Sequence, residues 1–259
     1  MPAVNIHIKD AFSLIRRKDP VVEITVKQNR SVGYSHNVVL DLEGESEEWV
    51  VLSAHYDSTS CSVGAYDNMS GCIGLLQLAE YFSKRPRHRG LRFLFCGSEE
   101  RGLVGSLSYL HAHQSEVKKI ILNVNLDMMG SVMGEFAAFS CADEAMEAYL
   151  SSFLKKHRFS ASVRYGIRSS DSNSFVHYGI PAVSFARYAS AAGVPIHTRY
   201  DVAEAVSAEN LLKEMRVIAS FAESFVKDEA LPLAPRISAQ IENDVKIYMN
   251  RKKYSEKGE

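Results

Sequence analysis

At 259 residues with 46% hydrophobic side chains, the chain is long enough to bury one substantial core and too short to hold two comfortably. Its 30 lysines and arginines nearly cancel its 31 aspartates and glutamates, which excludes a global field that would recruit nucleic acid or an anionic membrane. No run of about eighteen apolar residues occurs, so no membrane span is expected, and Cys61, Cys72, Cys96 and Cys141 form no CxxC pair, which fits a reducing compartment.

Asp10 to Lys18 reads as a short helix with Asp10 near its N-cap, closed by Asp19-Pro20. Strands are predicted over Val21 to Lys27, His36 to Leu42 and Trp49 to His55. Met69 to Lys84 has apolar residues at helical spacing and stops before Pro86. Leu91 to Cys96 is a short apolar strand, followed by Gly97-Ser98-Glu99-Glu100 and a helix from Leu103 to Gln114. Ile120 to Leu126 is a buried-type strand ending at Asp127. Further strands are predicted at Phe136 to Ser140, Ala161 to Tyr165 and Ile180 to Phe185, with helices at Ala142 to His157 and Asp171 to Tyr178. A loop then carries His197 to Asp201, the helix Ala208 to Lys227 has a clear apolar face, and a last helix precedes a solvated tail over 251–259. This alternation implies an α/β domain: a mixed, mostly parallel twisted sheet with helices on both faces.

In such sheets ligands gather beyond the carboxyl ends of the strands, where His55, Glu99, Glu100 and Asp127 fall. With Asp67 and His197 they make a donor set suited to two zinc ions. His55 and Asp57, two residues apart on a strand, point to the same side, so one can ligate while the other supports it. If Asp67 bridges, each ion could receive one imidazole, one further carboxylate and one bridging oxygen. One member of the Glu99-Glu100 pair then remains as a general base. The chemistry this set supports is amide hydrolysis by a metal-bridging water.

Five segments carry a resemblance beyond chemistry: His55-Tyr56-Asp57-Ser58, Gly64 to Gly71, Gly97 to Ser106, Asn125-Leu126-Asp127-Met128 and His197 to Asp201. In this order they resemble the motifs of the co-catalytic dizinc family of aminopeptidase Y, bacterial leucyl aminopeptidases and the glutamate carboxypeptidases. The resemblance extends from about Ile24 to Lys227. It implies the zinc-exopeptidase fold, which is phosphorylase/hydrolase-like. It also implies one ion on His55 and Asp127, another on Glu100 and His197, and Asp67 between them. Glu99 and Asp57 are the implied catalytic pair, Glu99 as general base and Asp57 orienting His55. A cis peptide at Asp67-Asn68 is implied too, and Ser170 to Ala182 resembles the segment bordering the substrate pocket. Asp201 is expected to stabilise the His197 loop.

The function expected is a zinc-dependent aminopeptidase acting on small peptides, with cobalt or manganese as alternative ions. A carboxypeptidase or deacylase on the same site is the second reading, in which Arg168, Arg187 or Arg199 would bind a substrate carboxylate. Cyclisation of N-terminal glutamine and a non-catalytic binding homologue are further variants. Retention of Glu100 and Asp127 beside Asp67 weighs against the first of these, and the full ligand set against the second. Residues 1–259 read as one peptidase domain with no inserted protease-associated domain, and residues 1–20 resemble the segment that follows such an insertion. The chain is therefore expected to be either part of a longer protein or, if complete, cytoplasmic.

Overall fold

A computed structural model describes residues 3–27, 29, 31–189 and 193–256. The chain divides into two compact units, one of Met1–Tyr34 with Lys253–Glu259 and one of Ser35–Lys252. The first contains helix α1 (Ile8–Ile15), which starts two residues before the predicted Asp10 because the His7 ring accepts the Lys9 amide at 3.3 Å. The strand predicted at Val21 to Lys27 is absent. Its alternating residues stay open, Val21 at 98% exposure, because a strand exists only through pairing and this segment has no ladder partner among the described residues. No described residue from 3 to 34 is buried, so the core expected across 1–259 lies within residues 35–252.

The second unit is built on seven strands: β1 (Val38–Leu42), β2 (Trp49–His55), β3 (Gly90–Cys96), β4 (Ile120–Leu126), β5 (Glu135–Cys141), β6 (Ser162–Tyr165) and β7 (Ala182–Tyr188). They form one sheet in the order β1-β3-β2-β4-β7-β5-β6. The central run β3-β2-β4-β7 is parallel, β1 pairs antiparallel with β3 and β5 antiparallel with β7, and β6 pairs parallel with β5. The sheet is thus mixed and mostly parallel, as the alternation implies.

Both faces are covered. On one, α2 (Ser70–Ser83), α4 (Glu144–Lys156) and α6 (Ala208–Val226) pack on Val50, Leu52, Val124, Phe136 and Phe185. On the other, α3 (Val104–Ala112), α5 (Ser172–His177) and α7 (Ala239–Glu256) meet Val51, Leu94, Ala137 and Ala182. Val50, Val51 and Leu52 alternate between these faces, which makes the central strand apolar throughout. Helix α2 opens at Ser70 because Met69 belongs to the preceding turn, and α3 opens at Val104 because Leu103 sits at φ 63°. Helix α7 continues to Glu256, through part of the predicted tail; residues 257–259 lie outside the described residues, as do Met1 and Pro2. No described helix is long and apolar enough to cross a membrane.

Phe221 of α6 anchors the larger core, edge-on to Phe185 at 5.5 Å and to Phe153 at 5.6 Å between ring centroids. Phe221→Ala is expected to lower the unfolding free energy by about 3–5 kcal/mol through the cavity it leaves. Urea denaturation checks this, the midpoint falling with little change in slope.

Candidate active site

Three adjacent parallel strands deliver the polar groups. Register places His55 at the end of β2 beside Cys96 at the end of β3, after which the chain turns through Gly97 and Ser98 into Glu99 and Glu100. Asp127 follows Leu126, the last residue of β4 on the other side of β2. Asp67 arrives from the turn Ala65–Met69, where it and Asn68 leave helical geometry, and the Asp67-Asn68 peptide is cis as the resemblance implies. His197 comes from the loop after β7 with φ 60°.

The side chains converge on two points that share one carboxylate. His55 Nε2 lies 3.2 Å from Asp67 Oδ1 and 3.6 Å from Asp127 Oδ1. His197 Nε2 lies 3.1 Å from Asp67 Oδ2 and 3.0 Å from Glu100 Oε1. Tetrahedral ligands at zinc bond lengths stand about 3.4 Å apart, which is the spacing of these atoms. Glu100 Oε1 is buried and makes no hydrogen bond, although His197 Nε2 is so near. Two donor atoms facing one another without a proton aligned between them suit ligands of a common cation better than an ion pair. Both triads, His55-Asp67-Asp127 and Asp67-Glu100-His197, could hold a metal ion.

A tier of hydrogen bonds fixes these loops. Asp57 accepts the Glu99 and Glu100 amides at 2.9 and 3.2 Å, so it anchors the di-glutamate turn. Its contact with His55 runs mainly through the main chain: the Asp57 carbonyl is 3.1 Å from His55 Nδ1 and its carboxylate 3.6 Å. Asp201 does more than steady its own loop. Its two oxygens accept the Tyr66 and Asp67 amides at 2.6 and 3.0 Å, which couples the His197 loop to Asp67. Asn68 accepts from the Gly71 and Met128 amides and donates to the Leu126 carbonyl, tying the Asp67 turn to the Asp127 strand. Gly71 is required there, since a Cβ would meet Leu126 O at 2.6 Å.

Arg168, available to a substrate carboxylate in the second reading, forms a salt bridge within the acidic cluster: its guanidinium lies 3.2 Å from Asp127 Oδ2 and donates to the Asp127 carbonyl. Asp171, in the segment expected to border the substrate pocket, is buried and accepts from Ser106 at 2.5 Å.

Charge is concentrated here in a desolvated place. Burial pushes the Glu99 carboxyl up to about 8, with Asp171, Asp127 and Glu100 adding to the rise against the pull of His55. Burial, with Asp67 beside it, also raises Glu100. Asp127 stays below its ordinary value despite burial because Arg168 and His55 face it. His55 is held well above the usual imidazole range: burial works against the proton, but the Asp127, Asp57 and Asp67 carboxylates at 3.2–3.6 Å favour the charged ring.

Residues 37–222 match the sequence profile of Peptidase family M28, well over half of the chain, and the chain belongs to that family. Aminopeptidase YwaD of Bacillus subtilis (strain 168) is 32% identical over 132 residues, which cover 51% of this chain and 29% of that protein. An aminopeptidase from Aneurinibacillus sp. strain AM-1 superposes with a TM-score of 0.68 at 27% identity, over 79% of this chain and 51% of the other. BSAP, described as a zinc aminopeptidase from Bacillus subtilis, superposes at 0.66 with 27% identity, over 79% and 53%. The chain thus spans under a third of that curated relative and about half of these solved chains.

Asp201→Ala is expected to strand the two buried amides of Tyr66 and Asp67, at about 1–3 kcal/mol each. Asp201→Asn, which keeps one acceptor oxygen, should lose less. Thermal unfolding of the metal-depleted protein checks the order wild type, then Asn, then Ala.

Proposed function

We propose that this M28-family chain carries the catalytic unit of a zinc-dependent aminopeptidase. Its two ions would be held by His55, Asp67 and Asp127 and by Asp67, Glu100 and His197. The observation that carries the reading is the position of Asp67, whose Oδ1 faces His55 while its Oδ2 faces His197. A carboxylate offered to two donor sets at once is what a shared ligand requires. Zinc on this set would supply an acidified water, a polarised scissile carbonyl and stabilisation of the charge that develops on its oxygen.

The protein's own part begins with Glu99. Adjacent to Glu100 but outside both triads, it is placed by the Asp57 bond to its amide. Its carboxylate takes a proton from the attacking water and returns it to the departing amine. Cations on the neighbouring ligands favour the ionised form that this needs. Asp57 keeps base and ligand in fixed relation because one carboxylate accepts both of their amides.

The end of the substrate that is recognised follows from the charges around it. Arg168 is engaged by Asp127, Arg187 by Glu214 and the Gly134 carbonyl, and Arg199 by the Tyr200 hydroxyl. The two arginines nearest the acids, Arg168 and Arg187, are thus already paired with buried carboxylates. An acid-rich strand edge suits a protonated N-terminal amine. The relatives named as aminopeptidases support the same choice.

Turnover of aminoacyl-p-nitroanilides beside their N-acetylated forms tests the reading. Zinc-restored protein should cleave the free amines alone. Glu99→Gln should lose about 10²–10⁴-fold in turnover while retaining its zinc. Equal cleavage of the acetylated set, or full activity of Glu99→Gln, would contradict it.

A further inference from the structure

Glu214 stands on the second turn of α6, fully buried, between Leu211 and Met215 on a face otherwise apolar. Its carboxylate is fully engaged. Oε1 accepts from Arg187 Nε and Oε2 accepts the Gly130 amide at 2.7 Å. Gly130 lies three residues beyond Asp127, and α6 grips the same loop twice more. Ser207 N–H donates to Gly130 O at 2.7 Å, and Asn210 Nδ2 donates to Ser131 O at 2.8 Å.

Arg187 gathers both ligand loops at its backbone. Its amide donates to the carbonyl of Met128, the neighbour of Asp127, at 2.8 Å. Its carbonyl accepts the hydroxyl of Tyr66, the neighbour of Asp67. Its guanidinium reaches the Gly134 carbonyl at 2.9 Å and otherwise spends its charge on Glu214. The pair, Glu214 buried and Arg187 partly exposed, therefore braces the loop that carries Asp127 on both sides, at Met128 and at Gly130. Glu100 and His197 come from loops that this pair does not contact through any of these bonds.

From this we infer that Glu214 and Arg187 are positioning residues chiefly for Asp127, and so for the His55, Asp67 and Asp127 site more than for the site that shares only Asp67 with it. The inference rests on the two-ion reading above. Replacing Glu214 by a small residue frees the Gly130 amide and leaves the partly buried Arg187 guanidinium with the Gly134 carbonyl alone, and the loop that holds Asp127 relaxes. A purely structural ion pair would cost stability without preferring one ion over the other.

The test is a cobalt titration of the metal-depleted full chain, read by visible absorption and calorimetry. Wild type should take up two ions. Glu214→Ala should bind one with wild-type affinity and the other 10–100-fold more weakly, the range for groups that orient ligands. Glu214→Gln, which keeps an acceptor for Gly130 but not the charge for Arg187, should fall between, and it carries the test if the Ala variant loses its circular dichroism. In a His197→Ala background, where the remaining ion reports the His55 site, adding Glu214→Ala should weaken that ion by the same factor. Two unchanged affinities in Glu214→Gln and Glu214→Ala, or equal weakening of both, would overturn the inference and leave the two-ion reading intact. Fewer than two ions on wild type would instead overturn that reading, and this inference with it.

Discussion

Three carboxylates and two imidazoles meet at 3.0–3.6 Å at a strand edge largely withdrawn from water, and this crowding governs the rest of the structure. Like charges brought this close in a desolvated site repel and resist ionisation, as the raised Glu99 and Glu100 show. A cation reverses the balance at once, because it turns each repulsive donor into a ligand. Arg168 faces Asp127 at 3.2 Å and offsets part of the negative charge, and the same carboxylates raise His55 above the usual imidazole range. The surrounding loops are the means of keeping such a set together.

Those loops are held by backbone geometry that few side chains adopt without support. Of the six described non-glycine residues with positive φ, Ser98, Leu103 and Met128 lie within three residues of a candidate ligand and His197 is one, while Asp19 and Arg158 lie elsewhere. Such conformations cost about 1–3 kcal/mol each and persist only where the neighbourhood enforces them. The enforcement is visible in Asn68, Asp201 and Glu214, whose side chains accept main-chain amides from the loops that hold Asp67 and Asp127. Parallel strands bring the chain to the right edge; these bonds then fix where each carboxylate ends.

Much of this was legible in the sequence, and the division has a physical cause. Buried parallel strands such as Val50 to Ala54 announce themselves by apolar runs, and the acids that follow them stand where strand ends must put them. Val21 to Lys27 misled because alternation measures propensity, whereas a strand needs a partner. The supporting residues were hidden because their partners lie far away in sequence, Asp201 bonding Asp67 and Glu214 bonding Gly130. Glu214 left one trace: it interrupts the apolar stripe from Leu211 to Ile218, where a carboxylate demands a buried partner. Arg168 was visible as a cation, but nothing local tells a substrate-reading arginine from one that faces a ligand.

The central claim is that Asp67 serves two cations at once, and anomalous scattering from crystals grown with zinc addresses it most directly. Data at the zinc edge should show two peaks, one beside His55 and Asp127 and the other beside Glu100 and His197, each at bonding distance from one oxygen of Asp67. A single peak, or a pair that leaves Asp67 untouched, would contradict the account.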